Sequence, residues 1–240
     1  MSGEAAILHI ASRFCGPPQS GNGGYVSGSL AAFVTGDCRV RLLRPPPLER
    51  DLVVHTDADG VTLMDGPDLI ARAQPHTLDL TPPAAPEFEE AVSRSRHYPG
   101  LSRHAFGTCF VCGPDRAVGD GLRIFPGPGD DGRVACTWVP DASLCDDHGQ
   151  VLAPFVWAAL DCPGGWAWIS GGDRVAVLGE FAVHIDGTLH SGEDYIIVGW
   201  TIGDDGRKHH CGSALYSATG KPLAWAASTW FDVVPAQMGA

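Results

Sequence analysis

The chain has 240 residues, 44% of them hydrophobic, and a formal net charge of −12. This length suits one large domain or two small domains that pack together. The acidic charge argues against nucleic acid or an anionic membrane surface as the main partner. The chain has no run long enough for a membrane helix and no basic N-terminal segment typical of a signal peptide, so we expect a cytoplasmic protein whose eight cysteines are free thiols.

Residues 1–78 have the element pattern of one α+β unit. Residues 5–14 (AAILHIASRF) are strand-like, and residues 21–36 (GNGGYVSGSLAAFVTG) have helical spacing with a glycine as the stop signal. Residues 79–104 are richer in proline and charge, and we predict a linker with a short helix at 86–95. Between the first helix and this linker lie short β-type runs separated by turn residues, at 38–48, 51–60, 61–66 and 69–76.

The same order of elements recurs in residues 105–240. Strands predicted at 122–127 and 133–140 precede a helical segment at 154–168 (PFVWAALDCPGGWAW). Long β-type runs follow, with hairpin turns at DDG and TG, over 175–185, 193–204, 208–220 and 221–233.

The two helical segments can be superposed as an internal repeat. Residues 23–32 (GGYVSGSLAA) align with residues 153–162 (APFVWAALDC), which places Ala31 opposite Asp161. Because the predicted strands match on both sides of the helices, we predict two copies of one α+β unit. The units are residues 1–78 and 105–240, joined by the linker 79–104.

Three segments of the second half resemble a known family. They are CFVCGPDRAVGDGLRIFPG (109–127), AALDCPGGWA (158–167) and ALYSATGKPLAWAASTW (214–230). These segments are similar to the hotdog-fold thioesterase-like superfamily, and specifically to acyl-CoA thioesterases of the phenylacetate-pathway type. The resemblance implies an α+β double hotdog, in which each unit wraps a long antiparallel β-sheet around a central helix.

The resemblance also implies a function, hydrolysis of acyl-CoA or another acyl thioester without a cofactor. Such a reaction needs a donor for the developing oxyanion and a carboxylate that attacks or activates water. In hotdog dimers the donor is a backbone N–H at a helix N-terminus, often within a His-Gly-Gly sequence. The catalytic Asp follows the first Gly by eight residues and acts across the interface.

Each half of this chain keeps only part of that pattern. The second half has Asp161, but Ala153 stands eight residues before it and Pro154 has no amide donor. The first half has an Asn-Gly-Gly sequence at the matching place, but Ala31 in place of the carboxylate.

We therefore predict one composite catalytic site per chain. Asp161 is the base or nucleophile, and the amides of Gly23 and Gly24 with the side chain of Asn22 form the oxyanion site. A non-catalytic protein that binds acyl thioesters or hydrophobic ligands on the same scaffold is the alternative, since Gly164 stands where family members carry Thr or Ser. A purely structural pairing module is favoured only if no pocket opens beside Asp161.

The helical segment also suggests residues that contact the substrate. Trp157 and Trp166 flank Asp161 at helical spacing and predict a bulky apolar pocket for an acyl or aryl group. Packing of these tryptophans in an aromatic core is the alternative. The full set of predicted substrate-binding residues is Gly24, Tyr25, Trp157, Gly164, Gly165 and Trp166.

Helix capping is an alternative role for two of these residues. Asp161 would be the N-cap of the following segment if Pro163 began a new helical turn, and Pro163 itself predicts a kink or break around 159–163. Asn22 would likewise be the N-cap of the first helix.

Cys109 and Cys112 raise the question of zinc. A structural zinc site needs four ligands, commonly from a second close pair of cysteines, and the other six cysteines are scattered. We therefore predict no metal and interpret CFVCG as a tight turn with two buried thiols. The sequence leaves open whether the chain forms a homo-oligomer.

Overall fold

The computed structural model describes residues 5–169 and 174–233. Over these residues the chain forms one 11-stranded antiparallel sheet that packs against two central helices. No helix within the two described ranges is long and apolar enough to cross a membrane.

The two central helices begin at positions that the superposition pairs. Helix α1 is Gly23–Ala31 and helix α3 is Ala153–Ile169. Asn22 is the N-cap of α1, because its Oδ1 accepts a hydrogen bond from the Tyr25 N–H at 2.9 Å. A short helix α2, Phe88–Ser95, lies within the predicted linker.

The strands divide into two groups along the chain. In the first half they are β1 Ala6–His9, β2 Cys38–Leu42, β3 Asp51–Asp57, β4 Gly60–Asp65 and β5 Asp68–Pro75. In the second half they are β6 Gly127–Pro128, β7 Val134–Trp138, β8 Ala176–Ile185, β9 Tyr195–Asp205, β10 Lys208–Ser217 and β11 Pro222–Asp232.

The two halves have the same strand order. From one edge of the sheet to the other the order is β1-β3-β4-β5-β2-β8-β11-β10-β9-β7-β6. Outward from β2, the first half continues with β5, β4, β3 and β1. Outward from β8, the second half continues with β11, β10, β9 and β7, and the two-residue strand β6 follows at the edge. The predicted architecture of two like units, each with a sheet and a central helix, is confirmed.

Strands β2 and β8 join the two units into one sheet. They pair antiparallel, with Val40 opposite Phe181 and Arg41 opposite Glu180. The Arg41 Nε donates to Glu180 Oε2 at 2.5 Å, and the Arg39 guanidinium lies 3.6 Å from the same carboxylate. Backbone pairing and these ion pairs hold the units in one register.

The central helices touch through two glycines of α1. A Cβ atom at Gly24 would lie 2.6 Å from Asp161 Cβ, and one at Gly28 would lie 2.7 Å from Trp157 Cβ. Real side chains do not approach so closely, so only glycine permits this helix packing. The close contact brings the N-terminus of α1 onto the middle of α3.

Of the kink or break predicted around 159–163, the break is wrong, because α3 continues through Pro163. Proline in a helix interior removes the N–H that would donate to the carbonyl four residues earlier, here that of Ala159, while α3 packs closely against β9 and β10. Ser213 Oγ donates to the Leu160 carbonyl at 2.5 Å. Strand β9 passes so close that a Cβ at Gly199 would lie 2.1 Å from the Pro163 carbonyl oxygen.

The predicted strand at 122–127 is also wrong, apart from Gly127 in β6. Arg123 has a φ of 54°, which an extended strand does not allow. The backbone N–H groups of Leu122 and Ile124 donate instead to the carbonyls of Phe110 and Val111. This segment therefore packs onto the CFVCG turn and not into the sheet.

Candidate active site

Asp161 lies in the middle of α3 and faces the N-terminus of α1. Its Oδ2 accepts hydrogen bonds from Asn22 Nδ2 at 2.8 Å and from the Gly24 N–H at 2.9 Å. Because Asp161 is inside α3, it is not the N-cap of the segment that follows it. Its carboxylate caps the other helix instead, where unpaired amides and the helix dipole favour negative charge.

The Asp161 carboxyl is almost completely enclosed, with 2% of the residue exposed. Burial raises the pKa of Asp161 to about 7, against the opposing effect of the Gly24 hydrogen bond; the charge of Cys109 raises it further and the Asn22 hydrogen bond lowers it. Among the described residues no group pairs with Oδ1. A carboxyl of this kind can accept or release a proton near neutral pH, and one of its oxygens remains available.

The backbone N–H groups in the first turn of α1 differ in their hydrogen-bond acceptors. Gly24 donates to Asp161 and Tyr25 to Asn22 Oδ1, whereas within residues 5–169 and 174–233 the Gly23 N–H has no protein acceptor. Of the three groups predicted to form the oxyanion site, the Asn22 side chain and the Gly24 amide therefore bond to Asp161, and the Gly23 amide does not. Gly23 is half-buried, and the Leu42 and Leu178 side chains lie against it.

The equivalent place in the other half of the molecule is an open pocket of about 220 Å³. Ala31 of α1 and Ala153 and Trp157 of α3 line it. Here Ala31 replaces the carboxylate and Pro154 replaces the amide of Gly24, as the sequence repeat predicts. Asp37 also lines the pocket, and its Oδ2 lies 2.6 Å from His184 Nδ1.

The tryptophans predicted to flank Asp161 lie in different surroundings. Trp157 lines the pocket beside Ala31, and Trp166 packs edge-on against Tyr98, with ring centroids 4.7 Å apart. The structure therefore does not bring them together in one pocket around Asp161.

The other predicted substrate contacts also have protein partners. The Tyr25 ring stacks on Phe14, with centroids 4.1 Å apart. Gly164 and Gly165 face strand β11, since Cβ atoms there would lie 3.0 Å from the side chains of Ser228 and Trp230 respectively. Of the predicted site, the structure groups Asp161, Asn22, Gly23 and Gly24.

The structure contains a cluster of three cysteines that the sequence patterns did not predict. The sulfurs of Cys109, Cys112 and Cys162 lie within 4.8 Å of one another, and all three residues are buried. The premise that the remaining cysteines are scattered away from CFVCG is therefore wrong for Cys162. No spacing signal reveals this contact, because Cys109 and Cys162 are 53 residues apart.

No sequence family profile and no curated protein matches this chain. Solved structures do match it over nearly its full length. The tesB protein of Mycobacterium avium subspecies paratuberculosis has a TM-score of 0.61 at 14% identity, over 96% of this chain and 93% of that one.

Two further structures agree with that match. A candidate thioesterase II from Thermobifida fusca has a TM-score of 0.58 at 15% identity, over 97% and 94% of the two chains. A candidate oleoyl thioesterase from Lactobacillus plantarum has a TM-score of 0.59 at 7% identity, over 96% of each chain. The chain has the double hotdog fold of these structures.

Proposed function

We propose that this protein hydrolyses an acyl thioester of the acyl-CoA type at one composite site per chain. The observation that carries the proposal is the contact between Asp161 and the N-terminus of α1. It brings a buried carboxylate from one unit onto the helix N-terminus of the other, and it occurs once.

The chemistry follows from the groups at this contact. The thioester carbonyl oxygen lies at the Gly23 N–H, where the amide and the α1 dipole stabilise the negative charge of the tetrahedral intermediate. Asn22 and Gly24 hold Asp161 Oδ2, so that Oδ1 takes a proton from water or attacks the carbonyl carbon itself. The C–S bond then breaks, and a proton, on the water route the one taken up by Asp161, passes to the leaving sulfur. On the nucleophilic route water then hydrolyses the mixed anhydride of Asp161, so both routes end in the acid and the free thiol. Leu42 and Leu178 cover Gly23, so these side chains must move to admit the thioester.

A thiol-release assay on a panel of acyl-CoA and acyl-pantetheine thioesters tests this function. We expect wild-type protein to release thiol from at least one class of acyl chain, because the composite site contains both a base and an oxyanion donor. Absence of release across aliphatic and aryl members of the panel contradicts the proposal.

A second candidate is a non-catalytic binder of acyl or other hydrophobic ligands. The observation that favours it is the location of the open pocket, which lies beside Ala31 and not beside Asp161. Its lining is largely small and apolar, as in many ligand sites, and no carboxylate of the central helices faces it.

Filling that pocket distinguishes the two candidates. If the pocket binds the ligand, Ala31→Phe should reduce affinity for a fluorescent acyl probe at least about tenfold, because the ring occupies the cavity. Ala31→Ser is the matched control and should bind normally. Equal probe affinity in Ala31→Phe and wild type would exclude this pocket as the binding site.

A further inference from the structure

We propose that Cys109, Cys112 and Cys162 bind a thiophilic metal ion, zinc, which joins the CFVCG turn to helix α3. This site goes beyond the proposed hydrolase function and does not depend on it. It also replaces the metal-free expectation drawn from the spacing of the cysteines alone.

The separation of the sulfurs suits a shared ion. Cys109 Sγ and Cys162 Sγ are 3.9 Å apart, and all three sulfurs lie within 4.8 Å of one another. Thiolates bound to one tetrahedral zinc at about 2.3 Å lie about 3.8 Å from each other. A disulfide needs about 2.05 Å, so none of these sulfurs is paired covalently.

The CFVCG turn holds two of these sulfurs together. The Gly113 N–H donates to the Cys109 carbonyl at 2.9 Å and closes the turn. A Cβ at Gly113 would lie 2.5 Å from the Cys109 carbonyl oxygen, so the turn closes only with glycine at that position. The turn therefore holds the sulfurs of Cys109 and Cys112 together against Cys162.

His104 supplies a donor to the cluster. His104 Nδ1 accepts the Phe106 N–H at 2.9 Å, so the neutral ring carries its proton on Nε2, which lies 3.2 Å from Cys112 Sγ. The Trp166 ring packs edge-on against the His104 ring, with centroids 5.3 Å apart. His104 is therefore a positioning residue that stabilises the Cys112 thiolate and does not itself bind the ion in this tautomer. A water molecule would take the fourth position of the tetrahedral zinc.

The surrounding chain explains what the ion does. Residues 102–126 contain no helix or strand, only one isolated β-bridge. Irregular segments of this length are uncommon in compact domains unless something holds them in place. Three thiolates from this segment and α3, each losing its proton on metal binding, fix the segment to the central helix.

Elemental analysis tests the site in the full-length chain, purified under reducing conditions from zinc-supplemented medium. We expect about one zinc per chain, lost in Cys162→Ser and in Cys112→Ser. Cys136→Ser is the matched control, since Cys136 is equally buried but outside the cluster, and should keep its zinc. His104→Ala should still bind one zinc, but about 10- to 100-fold more weakly in competition with a chromophoric chelator.

A second measurement does not depend on variants that fold. Titration of metal-depleted wild-type protein with Co²⁺ should produce a sulfur-to-cobalt charge-transfer band and protect three thiols from alkylation. The proposal is overturned if metal-depleted wild-type protein shows no such band after Co²⁺ is added. A disulfide between Cys109 and Cys162 in the native chain would also overturn it. Neither metal experiment uses a thioester, so a protein that binds no metal would leave the hydrolase proposal unaffected. A protein that hydrolyses no thioester would likewise leave the metal proposal unaffected.

Discussion

Asp161→Asn is expected to lower thioester turnover at least about 100-fold, while the fold is retained. Asparagine has the shape of aspartate, and its carbonyl oxygen can accept the hydrogen bonds from Asn22 and Gly24 that Oδ2 accepts now. It removes the group that accepts the proton or attacks the carbonyl. The loss therefore belongs to the transition state, so kcat should fall much more than KM changes.

Thiol release gives kcat and KM, and a thermal melt shows that the variant is folded. Ala31→Asp is the matched control, because it places a carboxylate at the equivalent position of the other helix. Its partner there is Pro154, which has no N–H, so this carboxylate should neither add activity nor rescue Asp161→Asn. Full turnover in Asp161→Asn would mean that Asp161 only caps α1.

Gly24→Ala is expected to lower the free energy of unfolding by about 3 kcal/mol, at the upper end for an overpacked core. The new Cβ would lie 2.6 Å from Asp161 Cβ and 2.8 Å from the Trp157 carbonyl oxygen. Backbone atoms of a packed helix cannot rotate aside, so α1 and α3 must separate. The N-terminus of α1 then moves away from Asp161, and thioester turnover should fall with stability.

Ser27→Ala on the same helix is the control for this stability measurement. The Ser27 hydroxyl is buried, and no described residue offers it a hydrogen-bond partner. Replacing it with alanine removes an unsatisfied polar atom, so stability should be unchanged or higher by about 1 kcal/mol. Denaturant unfolding of both variants provides the comparison. If Gly24→Ala were as neutral as Ser27→Ala, close contact at Gly24 would not hold the helices together.

Repetition made most of the fold predictable. The same helix-and-strand order recurs in both halves, and the helices begin at the paired positions Gly23 and Ala153. Alternation of apolar residues identifies a strand because one face of the sheet is buried, and that signal is local. It failed at 122–127, where apolar residues are buried by the CFVCG turn and not by sheet pairing.

Only those residues of the candidate site that the internal repeat places at equivalent positions could be predicted from the sequence. Asp161 and the Asn-Gly-Gly sequence were identified by their equivalent positions in the two helices. The amide that bonds Asp161 belongs to Gly24 and not to Gly23, because the rotation of one helix against the other depends on how the glycines of α1 pack. Helical spacing likewise placed Trp157 and Trp166 near Asp161, although the two rings have different neighbours.

Sequence patterns were enough to predict the two-unit α+β architecture, the strand periodicity and the asymmetry between Asp161 and Ala31. The continuity of α3 through Pro163, the open pocket beside Ala31 and the contact of Cys162 with the CFVCG turn arise from tertiary packing. The spacing of apolar residues indicates which face of a helix or strand is buried, and it can be seen within each element alone. Which buried groups meet depends on the packing of segments far apart in the chain, such as Cys109 and Cys162, 53 residues apart, or Gly24 and Asp161, 137 residues apart. No local pattern encodes such a pairing.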